Sequence, residues 1–392
     1  MATNHSYLVA AKRSPTGRFL GGLSKLTAAA VGGQVAKALL DEVQADRAAI
    51  DEVLIGQVVQ AGAGQNPARQ VALAAGLPDT VSACTVNKVC GSGLQSVMFA
   101  DQIIRAGDAD LILAGGIESM SQAPYLARGM RAGTKFGDAQ FVDGLLYDGL
   151  TNVYDGDLMG VIAEETAEKF GLTREQQDEF AVRSHQFAGR AEAAGLFKAE
   201  RVPIEQRRGK EPVAVDETVR EDASMDAMAL LKPAFAKHGT VTAGNASSLS
   251  DGAAMVLVAG EKGLSKCQAQ PLARVVASAT SGVPPRELFL APVKACKMVC
   301  EKAGWQPDDV DLWELNEAFA AQSLACLQGL ELDLEKVNVH GGAIALGHPI
   351  GASGARILST LLHAMKHRQV KRGVAALCLG GGNAVAMAVE TV

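Results

Sequence analysis

The sequence is poor in aromatic residues, which make up 4% of the chain, and no apolar run reaches the roughly 18 residues of a membrane span. The N-terminal segment MATNHSYLVAAKRSP lacks the charged and apolar regions of a secretory signal, and the C-terminal AVAMAVETV has no peroxisomal or retention tag. Basic runs with interleaved aromatics are missing, and the net charge is −6, which argues against nucleic-acid binding. These absences favour a cytoplasmic globular protein with an aliphatic core.

The seven cysteines form no CxxC pair, and their number is too small for a disulfide framework in a chain of 392 residues. We therefore expect no metal site and reduced thiols, some of them with a chemical role. No nucleotide-binding motif is present: the segment KRSPTGRFLGG after the first predicted strand lacks the GxGxxG turn of a Rossmann dehydrogenase.

Short apolar runs alternate with helical patterns along almost the whole chain, which predicts an α/β architecture of about two or three domains. Apolar periodicity predicts helices over Thr27–Val43 and Thr173–Ala194. The predicted strands are Leu8–Ala11, Val53–Val59, Leu111–Ala114, Met255–Ala259, Ala273–Ser278, Leu312–Leu315 and Val374–Leu379.

Two stretches that begin at Val86 and Val337 share one layout: a glycine-rich turn, a helix of about four turns and a strand that ends in consecutive glycines. This likeness indicates two similar α/β halves. We predict that residues 1–120 with 248–270 form the first half and residues 271–392 the second. Residues 121–247 differ in texture and are predicted to be an inserted loop domain that carries substrate contacts.

Cys90, in NKVCGSGLQS, is the first candidate catalytic residue. A strand-like segment, Ala83–Val89, runs into it, and a helix follows with Ser92 as its expected N-cap. A thiol at a helix N-terminus is stabilised as thiolate, so we expect a lowered pKa and a nucleophile. The alternative is a small buried hydrophobic residue.

Cys378 lies at the end of an apolar run, with Leu379 between it and the glycines that begin at Gly380. Ligands of open α/β sheets bind at this end of a strand, so the thiol is a candidate acid or base and the glycine amides are candidate oxyanion donors. A core cysteine before a loop is the competing interpretation.

Two further positions complete the candidate set. His348 stands in the glycine-rich HGGAIALGHPIGASGAR and is a natural proton shuttle; the alternative is a phosphate loop, although its spacing fits no phosphate-binding motif. Asn316 and Glu317 follow a predicted strand at an expected helix start, where Asn is either an ordinary N-cap or a donor to an oxyanion. A thiolate, an imidazole, a second thiol and oxyanion donors together favour acyl transfer.

These motifs resemble those of the thiolases over essentially the whole chain. The matching blocks are NKVCGSG, GGIESMSQAPY, GTVTAGNAS, NEAFA, GGAIALGHPIGASGAR and CLGGG, in this order. The resemblance implies an αβαβα layered fold of two similar halves with an inserted loop domain. It also implies a reversible acyl transfer between coenzyme A and a 3-ketoacyl-CoA.

The resemblance assigns a role to each candidate. Cys90 would take the acyl group, His348 would activate it, and Cys378 would move the proton at the methyl carbon of acetyl-CoA. One oxyanion hole would consist of His348 and a water held by Asn316, and the other of the amides of Cys90 and Gly380. No cofactor is implied, because the coenzyme A thioester is itself a substrate.

The resemblance also implies coenzyme A contacts, for which ordinary core packing is the alternative at the apolar positions. Ser247 would bind the pantetheine and Arg220 would lie near the adenine. The remaining expected contacts are Met159, Phe235, Ala243, Leu249, Leu288, Ala318, Phe319 and Ile350.

Some positions depart from the family pattern. Leu158 stands where biosynthetic members usually have His, Ala227 where a Ser is common near the nucleotide, and Asn383 where many members have Met or Gln. Leu158 argues against a strict short-chain biosynthetic enzyme. A non-catalytic acyl-CoA or lipid binder on the same fold is the alternative function. The segment ARGMRAGTKFGDAQ resembles the loop that ties tetramers together, so we expect a homotetramer.

Overall fold

The computed structural model describes residues 5–207 and 209–392, so positions 1–4 and 208 of the predicted domains lie outside the described residues. None of the helices in this part of the chain combines the length and apolar character that a membrane crossing requires. The strands are β1 (Tyr7–Arg13), β2 (Gly17–Arg18), β3 (Glu52–Gly56), β4 (Ser82–Val86), β5 (Leu111–Ser119), β6 (Tyr125–Leu126), β7 (Val142–Asp143), β8 (Ser250–Ala259), β9 (Ala273–Gly282), β10 (Leu312–Leu315), β11 (Arg372–Leu379) and β12 (Asn383–Glu390). The helices are α1 (Ala28–Glu42), α2 (Pro67–Ala74), α3 (Ser92–Ala106), α4 (Met159–Phe170), α5 (Arg174–Ala193), α6 (Met225–Ala229), α7 (Glu261–Leu264), α8 (Ala291–Ala303), α9 (Ala320–Leu330), α10 (Ala343–Leu346) and α11 (Ile350–Arg368).

The two predicted helices are confirmed, and their first residues show why they begin where they do. Thr27 caps α1 by accepting a hydrogen bond from the amide of Ala30. Thr173 caps α5 in a capping box, in which the Thr173 hydroxyl accepts from the Gln176 amide and the Gln176 side chain accepts from the Thr173 amide. Such reciprocal bonds satisfy amides that have no partner inside the helix.

The long strands join in the order β10-β11-β12-β9-β1-β8-β5-β3-β4. The second half of the chain supplies β10, β11, β12 and β9, and the first half supplies the rest. Among the strands of residues 5–207 and 209–392, the two groups pair where Tyr7 and Leu8 of β1 lie beside the start of β9. β5 and β8 pair antiparallel along their length, and every residue of both is buried.

Helices cover both groups of strands and produce five layers. α1 and α2 pack on the outer face of the first group, and α8 packs on the outer face of the second. α3 and α11 lie between the two groups and contact strands of both. The layers therefore follow the order αβαβα, which confirms the predicted fold class.

A buried ionic network joins the segment 200–216 to the first strand. Arg13 of β1 is fully buried, and its guanidinium binds the carboxylates of Glu200 and Asp216, the latter at 2.6 Å. Arg201 binds Asp216 from the other side at 3.0 Å. A buried charge is tolerated only when it is paired in this way, so the network fixes residues 200–216 against β1.

Several predicted boundaries are wrong. β3 ends at Gly56 rather than Val59, and β4 ends at Val86 rather than running into Cys90. Ser92 is the first residue of α3 rather than its N-cap; its hydroxyl donates to the carbonyl of Val89 at 2.6 Å. The residues that follow β3 and β4 thus form loops near the candidate site instead of continuing the strands.

Candidate active site

An apolar cavity of about 820 Å³, including its open mouth, is lined by residues from widely separated parts of the chain. Four of the candidate catalytic residues line it, namely Cys90, His348, Cys378 and Gly380. They come from four places in the chain: the turn before α3, the turn before α11, the end of β11 and the turn after it. The fold therefore brings together residues that the sequence presents far apart.

Cys90 stands in a strained turn. The residue before it, Val89, has φ of +48°, a left-handed conformation that β-branched residues rarely adopt. Gly91, which follows, approaches β11 so closely that an added Cβ would lie 2.4 Å from Leu379 Cδ2. This approach places Cys90 beside the end of the strand that carries Cys378. Strain of this kind persists only where the surroundings impose it, and it clusters at functional sites.

The thiol of Cys90 lies near backbone amides but carries its proton at rest. The amides of Gly380 and of Cys90 itself favour the thiolate form. Burial nevertheless raises the pKa of Cys90 to about 11, with a smaller contribution from the charge of Glu118. The sequence-based expectation of a lowered pKa is therefore wrong, because desolvation outweighs the helix terminus. A thiol in this state becomes a nucleophile only after a base removes its proton.

His348 is held in the tautomer that suits such a base. Its Nδ1 atom lies 2.6 Å from Ser353 Oγ, and the Ser353 hydroxyl donates its single proton to the carbonyl of Pro349 at 2.9 Å. Ser353 must then accept from Nδ1–H, which leaves Nε2 as the nitrogen with a lone pair. Burial, with a smaller effect of the Arg356 charge, lowers the pKa of His348 to about 3. The imidazole is therefore neutral and available to accept a proton.

Asn316 lies behind the imidazole rather than on the cavity wall. It is 1% exposed, and its Nδ2 atom lies 3.5 Å from His348 Nδ1. The helix that follows begins at Ala320 with Phe319 as its N-cap, so the interpretation of Asn316 as an N-cap is wrong. Its neighbour Glu317 accepts hydrogen bonds from Ser184 and Asn338, which fixes the segment.

Cys378 faces the same space as Cys90. Burial, then the nearby thiol of Cys90, raises the pKa of Cys378 well above its ordinary value, so it carries a proton at rest. The turn that follows depends on glycine: Gly381 and Gly382 have φ of +84° and +88°. An added Cβ at Gly382 would lie 2.3 Å from the carbonyl oxygen of Val283. The turn directs the Gly380 amide back toward the sulfur of Cys90.

Most of the expected coenzyme A contacts line the cavity, and two do not. Ala243 and Arg220 are exposed and are not among the lining residues. The Ser247 amide donates to the carbonyl of Ala318 at 3.1 Å, which joins the two lining segments. The expected contacts found on the wall are Met159, Phe235, Ser247, Leu249, Leu288, Ala318, Phe319 and Ile350.

Sequence reasoning missed part of the wall. A short π-helical turn, Leu146–Leu150, supplies one side of the mouth. No motif marks this turn, and it is too short to show a hydrophobic periodicity. Leu158, noted only as a departure from the family pattern, also lies on the wall. The missed residues are Met120, Leu146, Gly149, Leu150, Gly160, Ala246, Ser248 and Phe289.

No group of three or more His, Cys, Asp or Glu side chains in residues 5–207 and 209–392 is arranged to hold a metal ion. All seven cysteines are free thiols, and four of them are buried.

Comparison with known proteins identifies the family. The model "Thiolase, N-terminal domain" matches residues 6–262, and "Thiolase, C-terminal domain" matches residues 269–391. The acetyl-CoA acetyltransferase of Cupriavidus necator is 52% identical over 387 residues, covering 98% of each chain. A probable acetyl-CoA acyltransferase of Staphylococcus aureus is 50% identical over 387 residues, also covering 98% of each chain.

Solved structures give the same result. The Bacillus anthracis acetyl-CoA acetyltransferase has a TM-score of 0.97 and 40% identity, and human mitochondrial 3-ketoacyl-CoA thiolase has a TM-score of 0.97 and 41% identity. Each comparison covers 100% of both chains. The chain belongs to the thiolase family. It is a catalytic thiolase, an acyltransferase, and the non-catalytic alternative is not favoured.

Proposed function

We propose that the protein interconverts a 3-ketoacyl-CoA and coenzyme A with acetyl-CoA and a shortened acyl-CoA, through an acyl group on Cys90. The single observation that carries this proposal is the meeting of two thiols and a neutral imidazole in one apolar cavity, with the amides of Cys90 and Gly380 at the nucleophilic sulfur. The names of the similar proteins support the substrate class.

In the first half of thiolysis, His348 takes the thiol proton of Cys90 while the sulfur attacks the 3-keto carbon. The bond between carbons 2 and 3 then breaks, and the electron pair passes to the enolate of acetyl-CoA. Cys378 donates its proton to carbon 2, which suits a thiol whose pKa is raised. The products are acetyl-CoA, an acyl-Cys90 thioester, a Cys378 thiolate and a His348 imidazolium.

In the second half, the thiol of incoming coenzyme A gives its proton to Cys378 and attacks the acyl-Cys90 carbonyl. The sulfur of Cys90 leaves with the electron pair and recovers the proton from His348. All groups return to their starting states, and the steps run in reverse for condensation. Splitting the reaction through a covalent intermediate replaces one difficult step by two easier ones.

Two oxyanions form along this path, and each needs preorganised donors. We assign the oxyanion on the carbon attached to Cys90 to the amides of Cys90 and Gly380, because both reach that sulfur. We assign the enolate oxygen to His348 and to a water held by Asn316, which lies 3.5 Å from the imidazole. Loss of one such donor typically slows turnover by about 10²–10³-fold.

The acyl chain length is the open part of the substrate. The cavity that holds Cys90 is lined by aliphatic residues such as Leu150, Leu158 and Ile350, which offer no polar group to a short acetyl unit. We therefore propose that 3-ketoacyl chains longer than acetoacetyl are accepted. Thiolysis assays with acetoacetyl-CoA and a longer 3-ketoacyl-CoA test this. Activity on acetoacetyl-CoA alone refutes it, and silence on both substrates favours the acyl-CoA binder.

We further propose a homotetramer that works in the cytoplasm without a cofactor beyond its coenzyme A substrates. The segment 125–147 exposes Phe136 at 99% and Phe141 at 68% of their surface, which supports burial of these rings against another copy. Sedimentation tests the assembly: Phe136→Ser with Phe141→Ser should release dimers. A wild-type protein that sediments as a dimer would overturn the tetramer. Full activity after dialysis against a chelator tests the cofactor statement.

A further inference from the structure

Glu118, at the end of β5, is a buried carboxylate that makes no contact with the cavity yet binds backbone on two sides of it. It is 1% exposed. Its Oε2 atom accepts hydrogen bonds from the amides of Val58 at 3.1 Å and Gly351 at 2.9 Å. Its Oε1 atom accepts from the amide of Val59 at 3.3 Å. Three backbone donors thus converge on one buried carboxyl group.

One arm of this arrangement leads to His348. Gly351 is the second residue of α11 and follows His348 by three positions. An added Cβ at Gly351 would lie 2.6 Å from the carbonyl oxygen of Ile117 and 2.8 Å from Glu118 Oε2, so the helix start is pressed onto β5. The bond from the Gly351 amide to Glu118 therefore fixes the position of the turn that carries His348. The positive end of the helix dipole also favours a carboxylate at this place.

The other arm leads to Cys90. The carbonyl of Val58 accepts from Asn87 Nδ2 at 3.3 Å, and Asn87 Oδ1 accepts from the amide of Val89 at 3.0 Å. Val89 is the strained residue directly before the nucleophile. Glu118 is thus linked to the Cys90 turn through the 57–59 loop and Asn87.

We propose that Glu118 is a positioning residue for acyl transfer: by binding the amides of Val58, Val59 and Gly351 together, it sets the distance between the thiol of Cys90 and the imidazole of His348. The inference rests on the proposed function. A misplacement of about 1 Å between reacting groups can cost about 10²-fold in rate. Burial raises the pKa of Glu118 to about 8, so above that pH its negative charge adds to the pKa increase that burial imposes on the Cys90 thiol.

The test is Glu118→Gln, which keeps the size of the side chain. The side-chain oxygen of the variant can accept the bonds that Oε2 accepts. Its NH₂ group then faces the amide of Val59, and since both groups are donors, that bond is lost. We expect a folded protein whose kcat for thiolysis falls about 10²-fold while KM for coenzyme A stays within about twofold. Asp101→Asn is the matched control, because Asp101 is also buried and lies on α3 away from the cavity. It should keep wild-type kcat.

A second readout separates positioning from general stability. The groups that face Cys90 are His348, Cys378 and Glu118, and Asp251 faces Glu118. Loss of the Glu118 charge should shift the pH profile of Cys90 alkylation to lower pH, a change that a purely structural role would not produce. An unchanged pH profile of Cys90 alkylation together with an unchanged kcat overturns the proposal. An equal fall of kcat in Asp101→Asn also overturns it.

A surface variant keeps the proposal testable if Glu118→Gln does not fold. Asn87 is exposed, so Asn87→Ala should fold normally while it breaks the arm to Cys90. We expect kcat to fall about tenfold with KM unchanged, and the double variant to be less impaired than the two single effects multiplied. An unchanged kcat in Asn87→Ala overturns the proposal. Wild-type protein inactive on every 3-ketoacyl-CoA would instead refute the proposed function, which makes the two failures distinguishable.

Discussion

Ser353 Oγ lies 2.6 Å from Nδ1 of His348, and this one contact decides which imidazole nitrogen can accept a proton. Since the Ser353 hydroxyl donates to the carbonyl of Pro349, it receives the Nδ1 proton and leaves Nε2 basic. Ser353 lies in the first turn of α11 and His348 in the turn that precedes it, so the start of this helix places both the proposed base and the group that orients it.

Replacing Ser353 should therefore impair turnover without harming the fold. In Ser353→Ala the imidazole can adopt either tautomer, and we expect kcat for thiolysis to fall about 10–100-fold, less than the 10²–10⁴-fold typical for loss of a general base. Steady-state thiolysis with acetoacetyl-CoA measures it. Ser359→Ala is the matched control, because Ser359 is also buried on α11 and bonds only to the Ala355 carbonyl. Equal effects of the two variants would contradict the assigned role.

The raised pKa of Cys90 predicts the pH dependence of its alkylation. The thiolate is the reactive form, so the rate should rise roughly tenfold per pH unit until the pH nears the thiol pKa of about 11. Iodoacetamide labelling of the Cys90 peptide, in a Cys84→Ala background that removes the exposed thiol, measures this profile. A plateau already at neutral pH would indicate a thiolate–imidazolium pair and would refute the assignment of a neutral thiol at rest.

Gly160 should be needed for coenzyme A binding rather than for chemistry at the thiol. An added Cβ there would lie 2.3 Å from the ring of Phe235, which lines the cavity. In Gly160→Ala the ring must move into the cavity, and we expect KM for coenzyme A to rise about tenfold, equivalent to about 1.4 kcal/mol. The alkylation rate of Cys90 should stay the same.

The double variant Gly160→Ala with Phe235→Ala provides the control for that experiment. If the ring is what blocks the cavity, its removal should make the Gly160 substitution nearly silent. If the effects of the two single substitutions on KM simply add in the double variant, the ring is not the cause of the rise in KM.

The buried network around Arg13 predicts a large stability effect. Arg13→Ala leaves the carboxylates of Glu200 and Asp216 buried without their principal partner, which should lower the free energy of unfolding by about 3–5 kcal/mol. Urea unfolding followed by circular dichroism measures it at fixed protein concentration. Arg286 binds three carboxylates on the surface, so Arg286→Ala should change stability little. Equal losses in both variants would contradict the argument from burial.

Much of this organisation could be predicted from the sequence because it depends on local patterns. Thr27 and Thr173 mark the starts of their helices through side-chain caps, and both bounds were found within a residue. Cys90, His348 and Cys378 stood out because glycine-rich turns surround them, and all three line one cavity.

The remaining features depend on contacts between distant segments. The pKa of Cys90 is set by burial that no local pattern reveals, so the helix-terminus argument gave the wrong direction. The 57–59 loop looked like strand because it is apolar, yet its amides bind Glu118. Glu118 and Ser353 drew no attention in the sequence, because their importance comes from the backbone and the imidazole that they bind. The division into halves with an insertion stays a prediction.

The most direct test of the account is to locate the acyl group. After brief reaction with a 3-ketoacyl-CoA and acid quench, peptide mass spectrometry should find the acyl group on Cys90 in the wild-type protein. Cys90→Ala should carry none and should lose thiolysis, while Cys84→Ala remains acylated and active. An acyl group on Cys378, or continued turnover by Cys90→Ala, would contradict the assignment of Cys90 as the nucleophile.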